Sequence, residues 1–236
     1  RARGGSRWSV TRASSGYPAP REPWVSRPSV VVFDYGFGNV RSAQNSLERA
    51  GAAAQITADP ESVLACDGLV VPGVGAFAAC MAGLRAAGGA DLIAARLAAD
   101  RPVLGICVGM QVMFDGGDEH GVHTPGLGLW RGEVTRLHAD VLPHMGWNTV
   151  TPPADSELFR GVAGERFYFV HSYAAQGWFG AEGDVTWSEH GDRFVAAAET
   201  GVLRATQFHP EKSGDAGIAA MGYSLATLRS IRTGDH

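Results

Sequence analysis

The chain has 236 residues, of which 45% are hydrophobic, enough to bury one sizeable core and too few to force a second. No apolar run approaches the ~18 residues that span a bilayer, so a soluble protein is expected, with no membrane partner. Residues 1–29 hold six of the 20 basic side chains and one of the 24 acidic ones. The remainder, with 14 basic and 23 acidic, is net −9 and excludes a nucleic-acid binder.

Residues 1–29 carry Pro18, Pro20, Pro23 and Pro28, show no hydrophobic period and have little to bury, so a disordered basic tail is expected. An Arg- and Ser-rich, acid-poor composition also describes an organelle transit peptide. Without an amphipathic stripe, an over-long translation start is the preferred reading. Residues 30–236 form the expected domain. Ser29 to Phe33 reads as a buried strand, Asp34 to Asn39 as a turn, and Val40, Ala43, Leu47 and Ala50 fall at helical spacing. Gly36-x-Gly38 suggests a dinucleotide loop, but the third glycine of that pattern would stand at Arg41, so the site is rejected. Leu69 to Val71 reads as a strand running into Pro72-Gly73-Val74-Gly75, whose glycines allow a close approach or a turned-over amide. Helices are expected from Ala78 to Leu84 and from Asp91 to Ala99. Cys66, Cys80 and Cys107 are odd in number and lack a C-x-x-C pair, which argues against disulfides and zinc and suits a reducing cytoplasm.

Next comes Pro102-Val103-Leu104-Gly105-Ile106-Cys107-Val108-Gly109-Met110-Gln111-Val112-Met113-Phe114. An apolar run, Cys at Gly-x-Cys-x-Gly spacing and a second apolar run predict a strand, a sharp turn and a helix: a nucleophile elbow with sulfur as the nucleophile. The turn packs backbone so closely that side chains at 105 and 109 would collide with it. Cys107 then stands at a helix N-terminus, which favours a thiolate by at most ~2 kcal/mol, so a base is still needed. His209 is the candidate. Val202 to Phe208 reads as a strand, and His209-Pro210-Glu211 follows, leaving Glu211 two residues from the imidazole and able to orient it. The oxyanion formed when the sulfur attacks a carbonyl would be held by the N–H of Val108 and by one from Val74 or Gly75.

Between these stretches the chain changes character. Asp115 to Gly126 is expected to be a glycine- and acid-rich loop, its Asp115, Asp118, Glu119, His120 and His123 a solvated surface rather than metal ligands. Glu133 to Leu137, Trp147 to Val150, Arg166 to Val170 and Phe194 to Ala198 read as a meander of short strands. A last helix from Gly217 puts Ile218, Met221, Leu225 and Leu228 on one core-facing stripe. Alternating strands and helices at these lengths indicate an α/β fold with a mostly parallel sheet covered on both faces.

Gly-Ile-Cys107-Val-Gly-Met-Gln together with His209-Pro210-Glu211 resembles the triad of the class I glutamine amidotransferases. Asp34 to Asn39, Pro72 to Phe77, Pro143-His144-Met145-Gly146-Trp147-Asn148, Tyr168 to Tyr173 and Phe208 to Ser213 narrow the resemblance to the glutaminase subunits of imidazole glycerol phosphate synthase, from about Val30 onward. The resemblance implies a flavodoxin-like sheet with an added set of short strands, hydrolysis of L-glutamine through a Cys107 thioester, and no cofactor or metal. It implies that Gln111, Ser172 and Tyr173 hold the amino-acid end of the substrate. The implied partner is a (βα)8-barrel cyclase in a heterodimer, met by Asn39, Arg41, Met145, Trp147 and Lys212, the only lysine. That partner would use ammonia to make imidazole glycerol phosphate and aminoimidazole carboxamide ribotide in histidine biosynthesis, and a peptide flip near Val74 would control the glutaminase. The alternatives are a glutaminase serving another acceptor and an inert scaffold of the same fold.

Overall fold

The computed structural model describes residues 27–179 and 183–233. Most of the tail expected at 1–29 lies outside the described residues. Five strands line up in parallel, buried in all but β2 at the edge: β1 (Ser29–Phe33), β2 (Ala53–Thr57), β3 (Gly68–Gly73), β4 (Val103–Cys107) and β13 (Leu203–Thr206). Two more, β11 (Asp184–His190) and β12 (Asp192–Thr200), continue the sheet antiparallel, giving the order β11-β12-β13-β4-β3-β1-β2. β3 and β4 are buried throughout, as strands with a helical layer on each face must be.

Helices α1 (Val40–Arg49), α2 (Pro60–Ala65), α3 (Phe77–Ala86), α4 (Gly89–Ala98) and the long α6 (Gly214–Thr233) supply those layers. Local chemistry sets their ends. Asp59 caps α2 by accepting from the Ser62 N–H at 2.8 Å, with Pro60 in the first turn, where its missing N–H costs nothing. Arg96 of α4 is fully buried, and its guanidinium donates to the carbonyls of Val63, Cys66, Asp67 and Pro102, tying α2 to the segment that leads into β4. No single helix among the described residues is long and apolar enough to cross a membrane.

Several expectations need correction. The stretch Asp115 to Gly126 is not a loop: Phe114–Glu119 (β5) and Val122–Pro125 (β6) form a hairpin within a second sheet, β10-β7-β5-β6, with β7 Trp130–Arg136 and β10 Tyr173–Ala175. Its glycines mark close approach rather than a loop. A side chain at Gly117 would meet the Phe77 ring at 2.8 Å, and one at Gly126 the Phe114 carbonyl at 2.1 Å. Its acids are engaged, Asp115 with the Gly132 N–H, Asp118 with that of Gly121, and Glu119 with that of Phe77.

The expected meander divides three ways. β7 joins the second sheet, β8 (His144–Thr149) and β9 (Arg166–His171) form a separate hairpin, and β12 is wholly buried along Phe194–Ala198 because it sits inside the main sheet. β2, α2 and β11 were not legible as elements. α6 starts at Gly214, three residues early, and turns Ala216, Ala220 and Met221 inward while Ile218 stays partly exposed. The side chains of Leu225 and Leu228 lie outside the described residues.

Candidate active site

Sheet register brings the site together. Gly73 of β3 pairs with Cys107 of β4, and Ile106 pairs with Thr206 of β13, so the segments leaving β3, β4 and β13 emerge side by side at the carboxyl edge. Cys107 has φ 57° and ψ −115°, the strained turn of an elbow, where a residue with a Cβ costs ~1–3 kcal/mol. The turn is possible because three backbones almost touch. A Cβ at Gly109 would lie 1.9 Å from the Val71 carbonyl oxygen, and one at Gly105 2.7 Å from the Gly109 oxygen. The helix that follows, α5 (Val108–Gln111), is only four residues long, because the chain turns at Val112 and Met113 directly into β5. The longer elbow helix suggested by the apolar run does not form.

A cavity of about 220 Å³ opens over the elbow, lined by Cys107, Val108, Gln111, Val74, Gly75, Ser172, Tyr173, His209 and Lys212 among others. Ten of the fourteen residues singled out in the sequence either line it or, for Glu211, stand directly behind it. Asn39, Arg41, Met145 and Trp147 do not. Asn39 begins α1 without a side-chain cap, and Met145 and Trp147 stand 62% and 47% exposed on the β8–β9 hairpin.

His209 is 2% exposed, and its Nδ1 lies 2.8 Å from Glu211 Oε1, itself 2% exposed. Burial alone would lower the imidazole. The hydrogen bonds it makes with the Cys107 and Glu211 side chains outweigh burial and raise it from 6.5 to about 10, which favours the protonated ring beside the sulfur. The strand ends at Thr206 rather than Phe208, and Pro210–Lys212 forms one 3₁₀ turn. Ser213 braces that turn: its hydroxyl donates to the His209 carbonyl at 2.7 Å and accepts from the Tyr168 N–H, while the His209 N–H donates to the Tyr168 carbonyl.

The segment after β3 is fixed from beneath. Tyr35 donates its hydroxyl to the Pro72 carbonyl at 2.7 Å, and the Cys80 thiol donates to that of Val74 at 3.3 Å. Burial pushes the Cys80 thiol up to about 11, which keeps it a neutral donor. Gly75 follows at φ 91°, outside what a side chain tolerates well. Val108 is the first residue of α5, so its N–H has no partner within the helix.

His171 is held well below its ordinary value, to about 3, by burial and by the nearby His144. Its Nδ1–H donates to the Tyr173 carbonyl at 3.0 Å. Sequence reasoning missed Gln207 and Ser213 as members of the site. Polarity did not single Gln207 out, because the buried run Leu203–Phe208 also carries Arg204 and Thr206; the signal was its place two residues before His209. No cluster of His, Cys, Asp and Glu able to hold a metal occurs among the described residues.

Cys107 on a strained elbow, His209 over the same cavity and the Glu211 carboxylate behind it have the layout that a cysteine amidohydrolase requires. Residues 30–221 match the family model described as glutamine amidotransferase class-I. The chain is 63% identical over 201 residues to imidazole glycerol phosphate synthase subunit HisH of Nocardia farcinica, covering 82% of this chain and 95% of the relative. It is likewise 63% identical to that of Mycolicibacterium paratuberculosis, covering 84% and 97%. Among solved structures, PurLQS from Thermotoga maritima superposes with a TM-score of 0.63 at 19% identity, covering 86% of this chain and all of that one, a likeness of fold. The chain belongs to the class-I glutamine amidotransferases and, within them, to the HisH family.

Proposed function

We propose that this chain is the glutamine-hydrolysing subunit of imidazole glycerol phosphate synthase in histidine biosynthesis, with Cys107, His209 and Glu211 as its catalytic residues. The observation that carries the reading is the meeting of Cys107 and a Glu211-held His209 over one cavity, in a chain 63% identical to HisH proteins. The Cys107 sulfur attacks the side-chain carbonyl carbon of L-glutamine. The oxyanion forms toward the N–H of Val108 and one from the Val74–Gly75 segment. The imidazolium gives its proton to the amide nitrogen, the C–N bond breaks, and ammonia leaves a glutamyl thioester. Neutral His209 then takes a proton from water, whose oxygen attacks the thioester, and glutamate leaves as sulfur is regenerated. Glu211 keeps Nδ1 protonated throughout, so Nε2 exchanges the proton.

Gln111, Ser172 and Tyr173 line the wall where the amino-acid end of glutamine would lie. Ammonia is worthless as a nucleophile once protonated in water, which favours delivery to a cyclase subunit docked over the cavity as a heterodimer with a (βα)8 barrel. Exposed Met145 and Trp147, with Asn39 and Lys212, are the proposed contacts. Three free cysteines fit a cytoplasmic location. The test is glutamate release by the chain alone and with the cyclase and its nucleotide. Turnover should be low alone and much higher in the complex. Cys107→Ala should abolish glutamine-dependent synthesis while synthesis from added ammonia persists; retained glutamine-dependent synthesis would refute the assignment.

A further inference from the structure

The buried side chains around the sulfur form a hydrogen-bond chain whose direction is fixed by elementary valence. The Tyr173 carbonyl can only accept, and Gln111 lies with Nε2 2.8 Å from it, so that Nε2 is the donor and the orientation of the Gln111 amide is settled. The second Nε2 hydrogen goes to Gln207 Oε1 at 3.0 Å. Gln207 therefore presents its own NH2 group to the remaining neighbour, Cys107 Sγ, at 3.8 Å. The same carbonyl of Tyr173 also accepts from His171 Nδ1, which leaves His171 Nε2 as an acceptor. His144 Nδ1 must then donate to it at 3.1 Å, and His144 Nε2 accepts from Asn148 Nδ2 at 3.2 Å. None of these amide and imidazole links can be reversed without setting two donors or two acceptors against each other. Gln207 is 1% exposed and Gln111 3%, so the bond between the two amides is shielded from bulk water.

From this geometry we propose that Gln207 is a positioning residue for the glutaminase reaction. Its amide holds the Cys107 sulfur by donating to it and, through its oxygen, holds Gln111 in the orientation that turns Gln111 Oε1 away from the protein donors and leaves it free for substrate. A donor to sulfur favours the thiolate over the thiol and selects one rotamer of the cysteine. The proposal rests on Cys107 being the nucleophile. The other groups facing this sulfur are His209 from the turn after β13, Cys80 and Tyr35 from beneath the Val74 segment, and Glu119, His171 and Lys212 around the cavity.

Two substitutions separate the roles. Gln207→Met keeps the length and removes both hydrogen bonds. Gln207→Glu keeps an acceptor for Gln111 Nε2 and replaces the donor that faces sulfur. The pH dependence of Cys107 alkylation by iodoacetamide, followed by peptide mass spectrometry, reads the sulfur directly and needs no glutamine. Both variants should move that profile to higher pH, with about tenfold slower alkylation near neutrality, roughly one pK unit. In the assembled enzyme kcat should fall about tenfold in both. KM for glutamine should rise several-fold in Gln207→Met and stay within about twofold in Gln207→Glu, where Gln111 keeps its partner. Profiles that superimpose on the wild type, with only a lower melting temperature, would make Gln207 a packing residue and overturn the proposal. Should neither variant fold, the wild-type protein decides. The Gln207 side-chain amide resonances in a 1H–15N spectrum should move when Cys107 is alkylated, and unmoved resonances overturn the proposal. Failure of the nucleophile assignment looks different, since Cys107→Ala would then retain glutamine hydrolysis.

Discussion

Glu211→Gln isolates the electrostatic part of the site, because the amide oxygen can still accept from His209 Nδ1–H and the imidazole need not move. The wild-type carboxylate lies 2.8 Å from the ring nitrogen, with both side chains 2% exposed. At an effective dielectric near 20, unit charges that far apart attract by ~6 kcal/mol. Removing the carboxylate also removes the penalty of burying it. Its Oε2 is buried without a hydrogen-bond partner, so that penalty is substantial and the net loss is smaller. If about half of the attraction is felt as the proton moves to the leaving nitrogen, the barrier rises by ~3 kcal/mol and kcat falls on the order of 100-fold. Glutamate release by the assembled enzyme, measured across pH, is the assay. The acidic form of His209 should also be lost at lower pH than in the wild type. A kcat within about threefold of wild type, on an unshifted profile, would refute the claim that Glu211 holds the imidazolium.

Gly109→Ala should destabilise the protein by ~1–3 kcal/mol in urea unfolding, since its Cβ would lie 1.9 Å from a backbone oxygen that no rotamer change can move, and should reduce glutamine hydrolysis at least as severely. A Gly109→Ala variant with wild-type stability and activity would contradict the close-packed elbow. Stability should fall as pH rises from about 6.5 toward about 10. His209 is raised on folding, so its contribution is complete below its unfolded value and lost through its folded one. His209→Gln should flatten that limb of the melting curve. On the acid side the sign reverses. His171 and His144 are depressed to about 3 and about 4, mainly by burial, so their contribution is complete above 6.5 and lost as pH falls toward those values. Replacing His171 with Gln should weaken the acid dependence between pH 6.5 and 4, and an unchanged slope would show that the pair is not buried neutral.

The elbow was legible because its residues form one local pattern, two glycines flanking a cysteine between apolar runs. Only Gly105 answers to backbone close by, that of Gly109, while Gly109 itself answers to the Val71 carbonyl of β3. The parallel strands β1, β3 and β4 announced themselves as unbroken apolar runs, as strands covered on both faces do. β2 did not, because Ala53–Thr57 offers one large apolar side chain, Ile56, and as an edge strand keeps every position exposed or half-exposed. The β5–β6 hairpin was hidden by glycines that a loop and a tightly packed strand use equally. Only the distant Phe77 ring explains Gly117. The placement of β12 inside the main sheet, and not in a meander, depends on pairing with β13 and β11, which no local pattern encodes. Gln207 was missed for the same reason. It reads as one more strand residue until Gln111, 96 positions away, is seen bonded to it. His209 and Glu211 could be named from the sequence, but the brace supplied by Ser213 and Tyr168 could not.

The measurement that tests the account most directly is labelling with a diazo-oxo analogue of glutamine, located by peptide mass spectrometry on the chain assembled with its cyclase. The account predicts one adduct per chain, on Cys107, blocked by excess L-glutamine and absent from the buried Cys66 and Cys80. An unlabelled Cys107 in a complex that is otherwise able to turn over ammonia would contradict it.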